Sequence, residues 1–466
     1  MKFLDAILNI FRIPDLRKRV LFTLLLLAVY RLGAHIPTPG INPDALTQLF
    51  ERYRGTWLDL FDIFSGGNFR RFSIFALGIM PYITASIVLQ LLTVVWPYLE
   101  RLQKEGELGR RKITQYTRYL TVFLAGFQAL MIALTMMQQA AAEGLPLVIN
   151  PGIGFLLTAV LTLTTGTIFI MWLGEQISDR GIGNGMSLII FAGIVVGLPG
   201  AVREVYSKGF ETGEWQLYHL LLLVVLMLAV VGIIVMVESA QRRIPVQYAR
   251  RVVGRKVVGG TMTYLPIRVN AGGVIPVIFA SSVLAFPQTI GAMSPDNYYL
   301  REFTQMLAWG EPLYTLLYIS GIIFFSYFYV SIIFNPDELA DNMRKWGGFI
   351  PGIRPGRHTS EYVNTILTRV TFVGGLYLAM ISIIPEWMIS GIHLHHLPSW
   401  LGGQFIDATF PRWLLEGLGV NFYFGGTSLL IVVGVAMDTV NQIEAQLTMR
   451  HYEGFTTRGR IRGRRT

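Results

Sequence analysis

The stretch "GIMPYITAS" at residues 78–86 returns in altered form as "GVIPVIFAS" at residues 273–281. Five of the nine positions agree, namely a glycine, a proline, an isoleucine and a closing Ala-Ser pair. A second pair of stretches relates "GMSLII" at 185–190 to "GTSLLI" at 426–431. The chain therefore contains an internal repeat, and both copies of each stretch begin with glycine.

The repeated stretches lie in apolar runs that are typical of a membrane protein. The 466 residues are 52% hydrophobic, with a mean hydropathy of +0.49, and only 15% are charged, against about 25% in soluble domains. A membrane-spanning helix needs about 20 apolar residues, so the shorter runs must extend into their flanks. The composition predicts an all-α polytopic membrane protein with ten transmembrane helices. The runs are 20–30, 72–96, 120–137, 155–174, 186–198, 220–237, 273–286, 313–334, 370–385 and 425–440.

The positions of the repeats divide the chain into two halves of five spans each. Spans two and five match spans seven and ten, so the predicted halves are residues 1–205 and 206–466. Because five is odd, the second half must enter the membrane in the opposite sense. The halves are then related by a pseudo-two-fold axis in the membrane plane.

The basic residues indicate the orientation of the chain. With ten spans, 30 of the 39 Lys and Arg residues fall on the side that holds both termini, including a basic C-terminal tail. Cytoplasmic loops carry such an excess. Both termini are therefore predicted to be cytoplasmic, and the net charge of +10 is mostly an orientation signal.

The repeat also selects a set of aliphatic side chains as candidates for the lining of a site. Inverted repeats place their shared functional element near the bilayer midplane, and residues four apart lie on one helix face. The alternative is that these side chains only pack helices together, with small Ala-Ser pairs allowing close helix contact. The candidates are Ile79, Ile83, Met186, Ile190, Ile278 and Ile431.

Polar chemistry inside the spans is scarce. Ion-coupled transporters bury ionisable groups in their spans, but here the charged residues lie toward span ends: Arg31, Glu175, Glu238, Glu386 and Asp438. No Walker-type nucleotide motif is present, and the sequence has no cysteine. We predict no catalytic, metal or cofactor site, so a partner must supply any energy. A secondary transporter of a small solute is the alternative, and an intramembrane enzyme lacks any catalytic constellation.

Five blocks of sequence resemble the SecY family of bacterial protein-conducting channels, with similarity from about residue 10 to 455. They are "FSGGNFRRFSIFALGIMPYITASIVLQLLTVV" (64–95), "ISDRGIGNGMSLIIFAGIVVGLP" (177–199), "GVIPVIFASSVLAFP" (273–287), "GGFIPGIRPGRHT" (347–359) and "FYFGGTSLLIVVGVAMD" (422–438). The resemblance implies two inverted five-helix halves around a central pore. Unfolded secretory polypeptides would cross this pore in the cytoplasmic membrane, and hydrophobic segments would leave it sideways into lipid.

The resemblance also implies a constriction ring and a plug. The family's ring falls on the six aliphatic candidates, with Met186 in place of the common isoleucine. The plug, a short helix in the external funnel, corresponds to about residues 60–71. Its predicted members are Phe61, Asp62, Ile63, Phe64, Ser65, Gly66, Gly67 and Asn68.

Two long cytoplasmic loops, residues 238–270 and 335–368, are predicted docking surfaces, although they could serve only to hold the topology. The resemblance implies the SecA motor ATPase and the translating ribosome as docking partners, with ribosomal RNA phosphates suited to the basic residues. It further implies the SecE and SecG subunits, unfolded preproteins with signal sequences, and membrane lipid. The candidate docking residues are Arg242, Arg243, Arg250, Arg251, Arg255, Lys256, Arg354 and Arg357.

Overall fold

The structure is a computed structural model that divides into two compact units. One unit comprises Met1–Gly200 with Val435–Thr466, and the other comprises Ala201–Gly434. The predicted halves, 1–205 and 206–466, stay a prediction. The described residues are 13–52, 62, 65–143, 147–207, 210, 217–248, 251–253, 256–258, 262–293, 302–304, 306–307, 311–390 and 426–457.

The first unit is helical throughout its described elements. Its helices are α1 (Pro14–Gly33), α2 (Pro43–Arg52), α3 (Met80–Val95), α4 (Pro97–Lys104), α5 (Glu107–Glu143), α6 (Ile153–Arg180) and α7 (Gly185–Tyr206), together with the later part of α13 (Gly426–Thr457).

The second unit combines helices with short strands. Its helices are α8 (Leu217–Ser239), α9 (Ile275–Met293), α10 (Pro312–Ile333), α11 (Pro336–Lys345) and α12 (Arg357–Ser390), with the first residues of α13. Its strands are β1 (Gln241–Tyr248), β2 (Arg251–Val253), β3 (Lys256–Val258), β4 (Met262–Arg268) and β5 (Gly348–Phe349).

The ten predicted spans fall on ten separate helices: α1, α3, α5 to α10, α12 and α13. By length and composition, five helices among the described residues could cross a membrane, or six if α3 and α4, bent by 99° at Trp96, form one span. The second predicted span, 72–96, is helical only from Met80, because residues 72–79 form successive turns.

The two copies of the repeat fold alike. Gly78 and Gly273 have φ angles of 58° and 57°, a left-handed conformation that glycine adopts at little cost. A proline then occupies the first turn of each helix, where its missing N–H does no harm. The N–H of Ile83 donates to the carbonyl of Ile79 at 3.1 Å, and the N–H of Ile278 donates to the carbonyl of Val274 at 3.3 Å. The repeat therefore encodes a shared way of starting a membrane helix.

The core of the first unit holds the turns 72–79 against α5 and α6. Phe72 and Leu77 are fully buried in a cluster that includes small residues of α5, spaced four apart at Ala125, Ala129 and Ala133. Gly166 of α6 touches the same turns, because a Cβ added there would overlap the carbonyl oxygen of Ile74. Backbone thus packs directly on backbone at this point, as small residues permit in membrane proteins.

This contact predicts that Gly166→Ala destabilises the protein although alanine is the better helix former. Overpacking a tight contact costs about 1–3 kcal/mol, more than the helix propensity gained. The matched control is Gly232→Ala in α8, where an added Cβ meets nothing within 4 Å. Thermal unfolding in detergent should show a lower midpoint for Gly166→Ala alone. Equal midpoints for the two variants would contradict the contact.

The strands of the second unit form a three-stranded antiparallel sheet in the order β4-β1-β5 and a separate β2-β3 hairpin. Within the sheet, Ile244 of β1 lies opposite Leu265 of β4. Ile244 and Ile267 pack in a cluster with Val330, Ile350, Val363 and Leu367. The sequence interpretation treated residues 238–270 as a loop and missed these strands, although alternation in "RRIPVQY" was a usable signal.

Candidate functional site

Ile79, Ile83 and Ile190 are buried side chains of the first unit. Ile79 directly precedes α3 and Ile83 lies in its first turn, with exposed fractions of 3% and 8%. Ile190 lies in the second turn of α7 and is 4% exposed. The fourth candidate of this unit, Met186, is half-buried, and its sulfur lies against Gly174 of α6. Met186 therefore contributes to packing between α6 and α7.

The start of α7 is fixed by hydrogen bonds that position Met186 and Ile190. The side chain of Asn184 accepts from the N–H of Met186 at 3.1 Å, and the hydroxyl of Ser178 accepts from the N–H of Gly185 at 2.9 Å. Across the preceding turn, the N–H of Gly183 donates to Gln442 of α13 at 3.0 Å. The glycine-rich turn "GIGNG" at 181–185 is thus held by α6, α7 and α13.

The remaining ring candidates belong to the second unit. Ile278 lies in the first turn of α9 and is 9% exposed, whereas Ile431 lies in α13 and is 1% exposed. The carbonyl of Ile278 also accepts from Ser282 at 2.7 Å. Because the six candidates are divided between the two units, their meeting in one ring stays a prediction.

The predicted plug is described at Asp62 and from Ser65 onward, while Phe61, Ile63 and Phe64 lie outside the described residues. The backbone carbonyl of Asp62 accepts from the N–H of Gly67 at 2.9 Å and from the Ser65 hydroxyl at 3.0 Å. Its carboxylate accepts from the N–H of Arg70 at 2.8 Å. We call Asp62 together with residues 65–70 the plug segment. Asp62, Ser65 and Asn68 are at most 3% exposed.

Tyr30 of α1 and Gly193 of α7 contact the plug segment, and the sequence predicted neither contact. Tyr30 of α1 is 2% exposed and bonds to the segment through its hydroxyl. Gly66, with φ at 75°, lies against Gly193 of α7, since an added Cβ would be 2.5 Å from the Gly193 Cα. Gly193 follows Ile190 by three residues and so lies on nearly the same helix face. The plug segment therefore packs on α7 one turn beyond a ring candidate.

The charged groups near span ends are engaged in structural contacts. Glu175 of α6 pairs with Arg118 of α5 at 2.8 Å, and Glu238 of α8 accepts from the Asn270 amide at 2.7 Å. Arg31 donates to the carbonyl of Gly66 at 3.3 Å, while the side chain of Glu386 lies outside the described residues. Glu175, Glu238 and Arg31 are therefore each engaged in a contact within their own unit.

The two predicted docking loops share one sheet in the second unit. The strand β1, from the first loop, pairs with β5, from the second, through Gln247 opposite Phe349 and Tyr248 opposite Gly348. Arg242 and Arg243 are exposed at the start of β1. The second loop also contributes Ile350 to the cluster under the sheet. The structure thus brings together loops that are separated by α9 and α10 in the chain.

The other predicted docking arginines are described unevenly. Arg354 and Arg357 are exposed, and the carbonyl of Arg354 accepts from Thr359 at 3.0 Å. Arg357 pairs with Glu361 at 3.1 Å, an exposed pair of little energetic weight. The backbone places Arg251 on β2 and Lys256 on β3, with nothing described of their side chains, and Arg250 and Arg255 lie outside the described residues.

Solved channel structures share this fold. One solved SecY channel aligns over 92% of this chain and 91% of its own, with a TM-score of 0.56 and 17% identity. In that protein, the plug domain stabilises the closed state of the translocation channel and maintains a membrane seal. Sec61 in the canine ribosome-channel complex from the endoplasmic reticulum aligns over the same shares, with a TM-score of 0.53 and 15% identity. The chain therefore has the mostly helical, ten-helix polytopic fold of the SecY and Sec61 channels.

Sequence comparison gives the family. A profile of the SecY family matches residues 73–440. The protein translocase subunit SecY of Escherichia coli strain K12 is 48% identical over 452 residues, which cover 96% of each chain. The chain belongs to the SecY family. This membership confirms the prediction of a protein translocation channel that is not an enzyme. None of these comparisons favours the alternative of a small-solute transporter.

Proposed function

We propose that this chain conducts unfolded secretory polypeptides across the cytoplasmic membrane of a bacterium and releases hydrophobic segments sideways into lipid. The observation that carries the proposal is the 48% identity with a bacterial protein translocase subunit over 96% of both chains. Apolar, exposed helix faces in both units, such as that with Leu161 at 66% and that with Leu228 at 68% exposed, suit direct contact with lipid.

The proposed seal is the aliphatic ring with the plug beside it. A narrow apolar constriction loses its water and blocks ions, yet it offers no hydrogen bonds that would retain a moving chain. The burial of Ile79, Ile83 and Ile190 and the packing of the plug segment on α7, one turn from Ile190, support this role. Met186 keeps the ring apolar, with a more flexible side chain than isoleucine.

The proposed docking surface is the sheet β4-β1-β5 with the "GIRPG" turn at 352–356. Its exposed arginines, Arg242, Arg243 and Arg354, present positive charge that suits RNA phosphates. The ribosome-bound state of the Sec61 channel supports a translating ribosome as one partner. By family resemblance, the SecA motor ATPase uses the same side, and SecE and SecG complete the translocase.

The proposed orientation places both termini and this sheet in the cytoplasm. The positive-inside rule supports it, because 30 of the 39 basic residues fall on that side. In this orientation α7 runs outward from Gly185, so Gly193 and the plug segment lie on the external side of Ile190.

A translocation assay tests the proposal. We expect proteoliposomes that hold the chain with its partner subunits to protect a preprotein from added protease when the motor ATPase and ATP are present. A preprotein whose mature domain is locked by a tight ligand should stall, since only an unfolded chain fits a narrow pore. A preprotein with a charge inside its signal sequence serves as the control. Failure to protect any preprotein, with the partner subunits bound, would contradict the proposal.

A further inference from the structure

The hydroxyl of Tyr30 contacts the plug segment in two ways. It donates to the backbone carbonyl of Ser65 at 3.2 Å and accepts from the side-chain amide of Asn68 at 3.0 Å. The neighbouring Arg31 donates to the carbonyl of Gly66 at 3.3 Å. Three hydrogen bonds therefore join consecutive residues of α1 to the plug segment, and Tyr30, Ser65 and Asn68 are all at most 2% exposed.

Hydrogen bonds among its described residues hold the plug segment together, and the carbonyl of Asn68 joins it to the following turns by accepting from the N–H of Ser73 at 3.0 Å. Backbone and side-chain atoms of Asp62 bond to Ser65, Gly67 and Arg70. The N–H of Phe69 donates to the Ser65 hydroxyl at 3.1 Å. None of these bonds needs a residue from another element, so they can persist when the segment leaves α1.

The residues that follow the segment are fixed to the stretch after α1 and to the Tyr30 ring. The carbonyl of Phe72 accepts from the N–H of Thr38 at 2.9 Å, and the N–H of Ile74 donates to the carbonyl of Ile36 at 3.0 Å. Phe75 stacks on the Tyr30 ring, with centroids 5.8 Å apart and planes at 14°. Phe75, which lies outside the plug segment, thus sets the orientation of the Tyr30 ring. The Tyr30 hydroxyl can therefore stay in place when the segment leaves and returns.

We propose that Tyr30, Arg31 and Asn68 form a plug anchor that sets the ratio of closed to open channels. This positioning role rests on the proposed function of the plug. The closed channel holds buried hydrogen bonds that the open channel exchanges for bonds to water. The net free energy of such a hydrogen bond is small, but a tenfold change in an equilibrium ratio also requires only a small free energy. Losing the hydrogen bonds of one side chain should therefore shift the ratio of closed to open channels about tenfold.

Tyr30→Phe tests the anchor, since it removes one oxygen and keeps the ring that stacks on Phe75. We expect about tenfold more ion leak than in the parent when single channels are recorded in planar bilayers. The matched control is Tyr377→Phe in α12, where a buried hydroxyl has no hydrogen-bond partner among the described residues. This control should stay as tight as the parent.

Deletion of residues 60–71 separates the anchor from the plug proposal. With the plug deleted, Tyr30→Phe should add no further leak, and Asn68→Ala should reproduce the Tyr30→Phe leak in the full chain. If the deleted channel leaks but the Tyr30→Phe and Asn68→Ala channels are as tight as the parent, the anchor is wrong and the plug proposal is unaffected. Additional leak from Tyr30→Phe in the deleted channel would also overturn the anchor. A deletion as tight as the parent would instead remove the plug proposal and the anchor with it.

Discussion

Replacing Ile83 and Ile278 together by glycine is expected to make the resting channel conduct ions, with a leak at least as large as that of the plug deletion. Both side chains are nearly fully buried, at 8% and 9% exposed, in the first turns of α3 and α9. An apolar constriction excludes ions because water does not fill it. Two glycines would remove side chains from both halves and expose polar backbone, so water could enter. Conductance of the purified channel across planar bilayers measures the effect.

The matched control for this pair replaces isoleucines on the exposed faces of two other helices. Ile233 of α8 and Ile333 of α10 are 45% and 51% exposed, so Ile233→Gly/Ile333→Gly has a similar helix-propensity cost of about 1 kcal/mol per site. The control should remain tight. If the Ile83/Ile278 variant is equally tight, these side chains only pack helices and the proposed ring is wrong, although membership of the family is unaffected.

The sequence was sufficient for the helices and for the starts of the repeated spans. Long apolar runs are a strong signal because the bilayer demands them. Each of the ten predicted runs contains part of a helix, although the second is helical only from Met80. The Gly-x-x-Pro spacing in both copies corresponds to a left-handed glycine followed by a proline in the first turn. These features depend on local chemistry, which neighbouring residues in the chain encode.

Contacts between distant residues could not be predicted in the same way. The bonds from Tyr30 to Ser65 and Asn68 join residues 35 and 38 positions apart and leave no periodic trace in the sequence. The pairing of β1 with β5 spans about a hundred residues and involves only two residues of β5. The sequence did not single out Gly193 as a contact residue, because glycine is common in membrane helices. The predicted ring residues were chosen by repetition, and the plug and docking residues by resemblance to the family. Residues such as Tyr30 and Gly193, which neither route selects, were missed.

Neutralising Arg242 and Arg243 is expected to weaken binding of the detergent-solubilised translocase to ribosomes about tenfold at moderate salt. Both side chains are exposed at the start of β1, so Arg242→Gln/Arg243→Gln removes no buried side chain. Each lost phosphate contact should reduce the dependence of log affinity on log salt by about one unit. Ribosome co-sedimentation over a range of salt concentrations gives both quantities.

The control pair for this experiment lies on the opposite side of the proposed topology. Arg71 and Arg203 are also exposed arginines, and Arg71→Gln/Arg203→Gln changes the net charge by the same amount. Unchanged affinity and salt dependence are expected for the control, because a uniform loss of charge does not remove particular phosphate contacts. If both pairs weaken binding equally, attraction by net charge explains the effect, and the sheet β4-β1-β5 is not the docking surface. A shallower salt dependence confined to Arg242→Gln/Arg243→Gln would support both the surface and its cytoplasmic orientation.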